Sequence, residues 1–292
     1  MSGKDATSPF RNEQICLRAM EEADLGAAHS LSVAVGWPHR QGDWRAVFEI
    51  GHGYCAHDAI GRLVGTAMWW PIGAAFATIG MVIVAPSLQG QGLGRQMMSA
   101  VQEAAQGRTL QLNATLAGMK LYKSQGFRAI GAVRQYQGVA RPAKWHSSAD
   151  ILVRPSTAED WASIAELDRA AHGVDRRNVL RALTGDAAGA IGERDARVTG
   201  FAFCRPFGRG YVIGPIVAFD EETAIALAAP FVMAHAGYFV RADIPEGMTG
   251  LSCFLEECGL LPAGGGTTMI KGRAPRRSGR VRVFGLINQA IG

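Results

Sequence analysis

Three glycines at alternate positions, Gly90, Gly92 and Gly94, stand between an apolar β-branched run ending at Pro86 and an amphipathic stretch from Arg95 to Gln106. A strand, a tight loop and a helix in this order can cradle an anion. Glycine lets the backbone approach without a Cβ, and the first amides of a helix lack intrahelical acceptors and lie at the positive end of its dipole. Further on, Tyr122 precedes Gly126-Phe127. Its phenol, with an ordinary pKa of about 10, stays protonated at neutral pH and can donate a hydrogen bond, though alone such a residue also suits a buried core position. Spacing excludes two owners of such a loop. A P-loop needs Lys-Ser/Thr after its glycines, and none follows; a dinucleotide fingerprint needs G-x-G-x-x-G and an acid about 20 residues on, where Gln111, Leu112 and Asn113 stand. By itself the remaining pattern, Gln89-x-x-Gly92-x-Gly94, also suits a plain connection between a core strand and a surface helix.

The elements that must position these residues follow from periodicity. In the first half, strands are predicted at 14–18, 52–57, 63–70, 77–84, 109–113 and 129–136, and helices at 22–35, 41–49, 92–106 and 117–124. The second half repeats the first. Arg18 and Asp24 match Arg154 and Asp160 at an offset of 136; Gly65, Pro71 and Gly73 match Gly200, Pro206 and Gly208 at 135. Ile79-Gly80 matches Ile213-Gly214 at 134, and Leu121 and Gly126 match Phe254 and Gly259 at 133. Landmarks that drift so little imply two copies of one fold, joined by a linker near 138–149 that contains Pro142 and Ser147-Ser148.

The loop after Val84-Ala85-Pro86 resembles motif A of the GNAT acyltransferases, the Gcn5-related N-acetyltransferase superfamily, and Leu121-Tyr122-x-x-x-Gly126-Phe127 resembles a second signature of that family. The resemblance covers essentially the whole chain as a tandem pair. It implies an α+β class: two GNAT-like domains, each a mixed, mostly antiparallel sheet flanked by helices. Residues 1–140 would carry an acetyl-CoA site and residues 150–292 a second domain without the pyrophosphate loop. Val82, Ile83 and Val84 would then pair with the pantetheine, and Gln89, Gly90, Gln91, Gly92, Leu93, Gly94 and Arg95 would take the pyrophosphate. Tyr122 would protonate the leaving thiolate. Thr115 stands where the family commonly has Asn, and Gly118 where it commonly has Ala. No Asp or Glu lies in 78–84, where some members carry a base, so a base comes from elsewhere, acts through water or is unnecessary; His39 and Asp43, in the acceptor-loop region, are candidates for it or plain surface polar residues. Trp37, His39 and Trp70 are the candidate acceptor-binding residues. In the second copy, Phe219-Asp220-Glu221-Glu222 replaces the glycine loop and Leu255 replaces the tyrosine. That copy is expected to bind no acetyl-CoA, and either to wall the acceptor pocket or to cover a sheet edge.

Composition narrows the partners. The net charge of +5 is concentrated in 271–282, which holds six Lys/Arg and no acid, so the body of the chain is neutral. No aromatic residue interleaves those basic ones, and no nucleic acid is expected. No apolar run is long enough to span a membrane, and the first fifteen residues lack the apolar centre of a signal peptide. Five scattered cysteines without C-x-x-C spacing suit reduced thiols in a cytoplasm and call for no metal. The function expected is acetylation of a small-molecule amine by direct attack on the acetyl-CoA thioester. The alternatives are a non-catalytic acyl-CoA-binding or regulatory protein, and a protein N-acetyltransferase.

Overall fold

The computed structural model describes residues 15–143 and 148–292. Residue 14 of the first expected strand and residues 144–147 of the expected linker, Ser147 among them, lie outside the described residues. The first repeat runs β1 (Cys16–Ala19), α1 (Leu25–Ala34), α2 (Gln41–Phe48), β2 (His52–His57), β3 (Leu63–Ile72), β4 (Phe76–Val84), α3 (Leu93–Ala104), β5 (Thr109–Ala114), α4 (Met119–Ser124) and β6 (Arg128–Val139). The second runs β7 (Leu152–Pro155), α5 (Trp161–His172), α6 (Arg177–Thr184), β8 (Ala188–Arg194), β9 (Arg197–Phe207), β10 (Gly210–Ala218), α7 (Glu221–Ala234), β11 (Phe239–Pro245), α8 (Thr249–Glu257) and β12 (Leu261–Lys271), and adds β13 (Arg282–Gly285). The basic stretch before β13 is an exposed connection without regular structure.

The repeated Arg and Asp have the same task in both copies. Arg18 forks onto Asp24 at 2.8 and 2.7 Å, and Asp24 also accepts the amide of Glu21; Arg154 forks onto Asp160 at 2.8 Å, and Asp160 accepts the amide of Thr157. Each carboxylate thereby caps the turn that launches the following helix.

One sheet passes through both repeats in the order β1-β2-β3-β4-β5-β12-β6-β11-β10-β9-β8-β7, with β13 beside β10. Only β4–β5 and β10–β11 pair in parallel; the other pairs are antiparallel. The final strands are exchanged. β12 of the second repeat lies against β5 of the first, from Leu110–Lys271 to Ala114–Thr267, while β6 of the first lies against β11 of the second, from Val133–Pro245 to Val139–Phe239. The two exchanged strands pair with each other at the centre.

Alternation along the strands assigns the core. On β3, Met68, Trp70 and Ile72 face a cluster shared by both repeats, which includes Trp44, Phe201 and Ile287, whereas Ala67 and Trp69 face the opposite layer under α3. α3 meets that layer through Leu93, Met97, Met98 and Val101, a stripe at helical spacing. The layer under α7 and α8 belongs to the second repeat. Among the described residues no helix is long and apolar enough to cross a membrane, and no group of three His, Cys, Asp or Glu could hold a metal ion.

Candidate active site

Two local features of the first repeat open a cleft. β4 and β5 pair only from Phe76–Thr109 to Ile79–Leu112, and beyond Ile79 they diverge. The cause is a bulge in β4: the register against β3 shifts between Thr66 and Met68, and Met81 adopts a left-handed φ of 51°, held by a 2.8 Å bond from Thr66 Oγ1 to its carbonyl. An extra residue bends the strand and leaves its far edge, through Val82, Ile83 and Val84, without a strand partner on that side.

The glycine loop stands at the end of this edge. Gly90 and Gly92 have φ of 77° and 90°, values that other residues adopt only under strain, and Gly92 caps α3 from that conformation. Gly94 serves differently: a Cβ there would lie 3.2 Å from Leu121 Cδ2, so its absence lets α3 pack against α4. The amide of Gln89 points to Pro86 O and that of Arg95 to Gly92 O. Between them, the five amides of Gly90, Gln91, Gly92, Leu93 and Gly94 find no acceptor among the described residues. Consecutive free amides at a helix N-terminus form an anion nest. The side chains are used otherwise. Gln89 Nε2 donates to Val84 O at 3.1 Å, Gln91 Nε2 to Ser87 O at 3.0 Å, and Arg95 to Ser124 Oγ at 3.0 Å, so all three brace the loop.

Tyr122 sits on α4 at the mouth of the cleft. It is buried against Phe127, with ring centroids 6.1 Å apart, and burial pushes its phenol up to about 12. Gly118 is a matter of fit: a Cβ there would meet Tyr122 Cε2 at 2.7 Å. Thr115 Oγ1 accepts the amide of Gly118 at 3.3 Å and closes the turn into α4.

A cavity of about 330 Å³ is lined by Val82, Thr115, Tyr122, Trp37 and His39, while the glycine loop from Gln89 to Arg95 lies outside its lining. His39 packs edge-on to Trp37 and Phe207, both 5.8 Å away between centroids. Burial lowers its pKa to about 4, so it is neutral at pH 7, and Nδ1 has no partner. Asp43 is buried and tied up: its Oδ2 accepts the amides of Arg40 and of Gly208 in the second repeat, at 2.8 and 2.9 Å. Trp70 is not at the cavity. It has no exposed surface, its Nε1 donates to Val47 O at 2.8 Å, and strand alternation turns it into the shared core.

The sequence reading missed the opposite wall. Gln135 and Gln137 come from β6, Arg241 from β11, Phe207 and Arg209 from the β9–β10 corner, and Asn288, Gln289 and Ala290 from the segment after β13. Ala290 lies over the β4 bulge, where a Cβ on Gly80 would approach it to 2.7 Å. Signals existed: polar residues at alternate positions of β6, and Arg241 and Asp243 inside an otherwise apolar strand.

The corresponding cleft of the second repeat is filled. β10 and β11 pair only at Tyr211–Val240 and Val212–Arg241, β10 then shifts register, and β13 runs antiparallel to it from Ile216–Gly285 to Ala218–Arg282. Leu286 N bonds Asp243 O at 2.8 Å, joining β13 to β11. At the loop position, Asp220 caps α7 by accepting the Thr223 amide at 2.8 Å, and Arg194 pairs with Asp220 and Glu222.

Two family models, each described as an acetyltransferase (GNAT) domain, match the chain, one over residues 49–129 and the other over residues 164–285. The chain is 26% identical over 278 residues, 94% of its length and 97% of the relative's, to the Bacillus subtilis (strain 168) protein YitH, described as an uncharacterized N-acetyltransferase. Among solved structures, a Pyrococcus horikoshii protein assigned as an acetyltransferase superposes over 100% of both chains with a TM-score of 0.78 at 20% identity. A GCN5-related N-acetyltransferase from Sphaerobacter thermophilus matches 91% of this chain and 98% of its own with a TM-score of 0.69 at 15% identity. A tandem GNAT protein from the clavulanic acid biosynthesis pathway covers 89% of this chain and 100% of its own, with a TM-score of 0.62 at 17% identity. These structural likenesses establish the fold. Together with the two domain matches, they show that the chain belongs to the GNAT acetyltransferases, as an N-acyltransferase with two GNAT domains in tandem.

Proposed function

We propose that the chain transfers the acetyl group of acetyl-CoA to a small-molecule amine, with the donor site in residues 1–140 and no second donor site in residues 150–292. One observation carries this reading: the free edge of β4, Tyr122 and a wall built by the second repeat enclose a single cavity of about 330 Å³, at the small end of the range for small-molecule sites. A space of this size favours a compact acceptor over a peptide, which would need a longer groove.

When bound, acetyl-CoA supplies an acyl group already activated as a thioester. The amides of Gly90 to Gly94 hold its pyrophosphate, and the β4 edge at Val82 to Val84 aligns its pantetheine. The cavity holds the free amine for direct attack, and placement supplies much of the rate. His39, neutral at pH 7, lets the acceptor approach without charge repulsion. Tyr122, held protonated by burial, donates its O–H to the departing thiolate; the CoA thiol, with a pKa of about 8 to 9, is a stronger acid than this phenol, so Tyr122 stabilises the leaving group by a hydrogen bond, and the proton that completes the thiol is the one the acylated nitrogen sheds through water. Thiol release from acetyl-CoA across a panel of small amines tests the proposal. Turnover of any of them supports it; tight acetyl-CoA binding with no turnover anywhere in the panel would assign the chain to acyl-CoA sensing instead.

A further inference from the structure

The charged residues that line the cavity are two arginines, Arg209 and Arg241, and one acid, Asp43; Arg40 and Arg205 lie outside its lining. Arg241 pairs with Asp243 at 2.9 Å and Arg40 with Asp43 at 3.6 Å. Arg205 and Arg209 have no ion-pair partner among the described residues. Arg209 lines the cavity from an exposed position. Arg205 lies behind it: its guanidinium is 5.1 Å from the Phe207 centroid, its Nη2 donates to Ile287 O at 3.1 Å, and its buried Nε has no acceptor. Burial lowers Arg205 to about 10, so it remains charged at neutral pH.

Arg241 is built as a recognition group. Its Nε and Nη2 are fixed on Asp243, which is fully buried, and its guanidinium lies 5.4 Å from the Phe207 centroid. Nη1 donates to nothing among the described residues and belongs to a side chain that lines the cavity. The strand exchange sets amides around it: Gln137 and Gln135 stand opposite Arg241 and Asp243 in the β6–β11 register, and Gln289 Nε2 donates to Asp243 at 2.7 Å. Fixed donors with a surplus of positive charge, lining a concave space, are what an oxyanion requires.

We infer that the acceptor carries, besides its amine, an oxyanionic group, a carboxylate or a phosphate, which binds Arg241 and Arg209 while the amine faces Tyr122. The inference rests on the acetyltransferase reading of the same cavity and names the acceptor class. An acceptor without an anion leaves the Arg241 donor unmatched, and a diamine brings a second positive charge to a positive wall.

The test uses the full chain with acetyl-CoA and four matched short primary amines: an amino carboxylate, its neutral methylamide, an aminoalkyl phosphate, and a diamine of equal length. The carboxylate or the phosphate should exceed the methylamide at least about 10-fold in kcat/KM, mostly through KM, with the diamine lowest; the better oxyanion identifies the headgroup. Arg209→Gln, at an exposed position, and Arg241→Lys, which keeps a cation beside Asp243, should each reduce that ratio several-fold. A methylamide or diamine acetylated as well as both oxyanions, or a ratio unchanged in both variants, would overturn the inference. Calorimetric titration of the four compounds into the CoA-loaded chain separates the two readings. Oxyanion-selective binding without turnover of any amine would sink the acetyltransferase reading alone, whereas equal binding of all four would sink this one.

Discussion

The two repeats fold the same parallel pair apart by the same device, a register shift in the strand before the loop, and then do opposite things with the gap. In the first, the gap between β4 and β5 leads to free amides and Tyr122. In the second, β13 occupies the gap beside β10, Asp220 satisfies the helix end, and Leu255 stands buried where the tyrosine would be. A splayed strand pair is therefore neither a site nor a flaw in itself. It becomes a cavity when the chain leaves it open and core when a later segment supplies the missing strand.

The largest expected effect is on chemistry confined to one copy. Tyr122→Phe should lower kcat about 10²- to 10⁴-fold with acetyl-CoA binding retained, whereas Leu255→Tyr in the second copy should leave kcat unchanged while overpacking a fully buried position at a cost of about 1 to 3 kcal/mol; an unchanged kcat in the first variant would remove the acid role. Next comes the plug. Phe284→Ala removes a buried side chain of β13 and should cost about 3 to 5 kcal/mol, read as a lower Tm or denaturation midpoint. Acetyl-CoA should still titrate to one equivalent per chain; a second equivalent appearing in this variant would show that β13, rather than the lost loop, silences the second cleft. Gly92→Glu should weaken acetyl-CoA binding at least about 100-fold, since it adds a strained left-handed residue and a negative charge at the nest. In the second repeat, Glu222→Gln in the first turn of α7 should leave affinity alone, and calorimetry on both variants checks the contrast. The smallest effect is expected at Gly118→Ala, whose Cβ would displace the Tyr122 ring: about 10-fold in kcat with little change in acetyl-CoA affinity.

Much of this was legible in the sequence because backbone requirements leave marks. The loop glycines, the strand before them, the Tyr122 turn and the Arg18/Arg154 caps are local features, and each is written within a few residues. Helix and strand positions followed from periodicity to within about three residues at their ends. Trp70 shows where local reading fails: its type suits a binding wall, but only the pairing of β3 between β2 and β4 decides which face it takes. The acceptor wall was hidden for a stronger reason. Gln135, Arg241 and Gln289 converge through exchanged strands and a returning tail, contacts far apart in sequence that no window around any one of them contains.

The exchange of β6 and β12 also fixes an order of events during synthesis. Leu110 awaits Lys271, and β5 has no final neighbour on that side until nearly the whole chain has been made. Until then the finished part of the first repeat keeps a bare strand edge, open to wrong partners, and its donor cleft stands beside an incomplete wall. The long separation between paired strands makes completion of the sheet a slow closing step. A growing chain thus acquires its glycine loop early and the opposite wall of the cavity last, so an activity that uses the proposed acceptor cavity arrives only once β12 and the segment after β13 have been made.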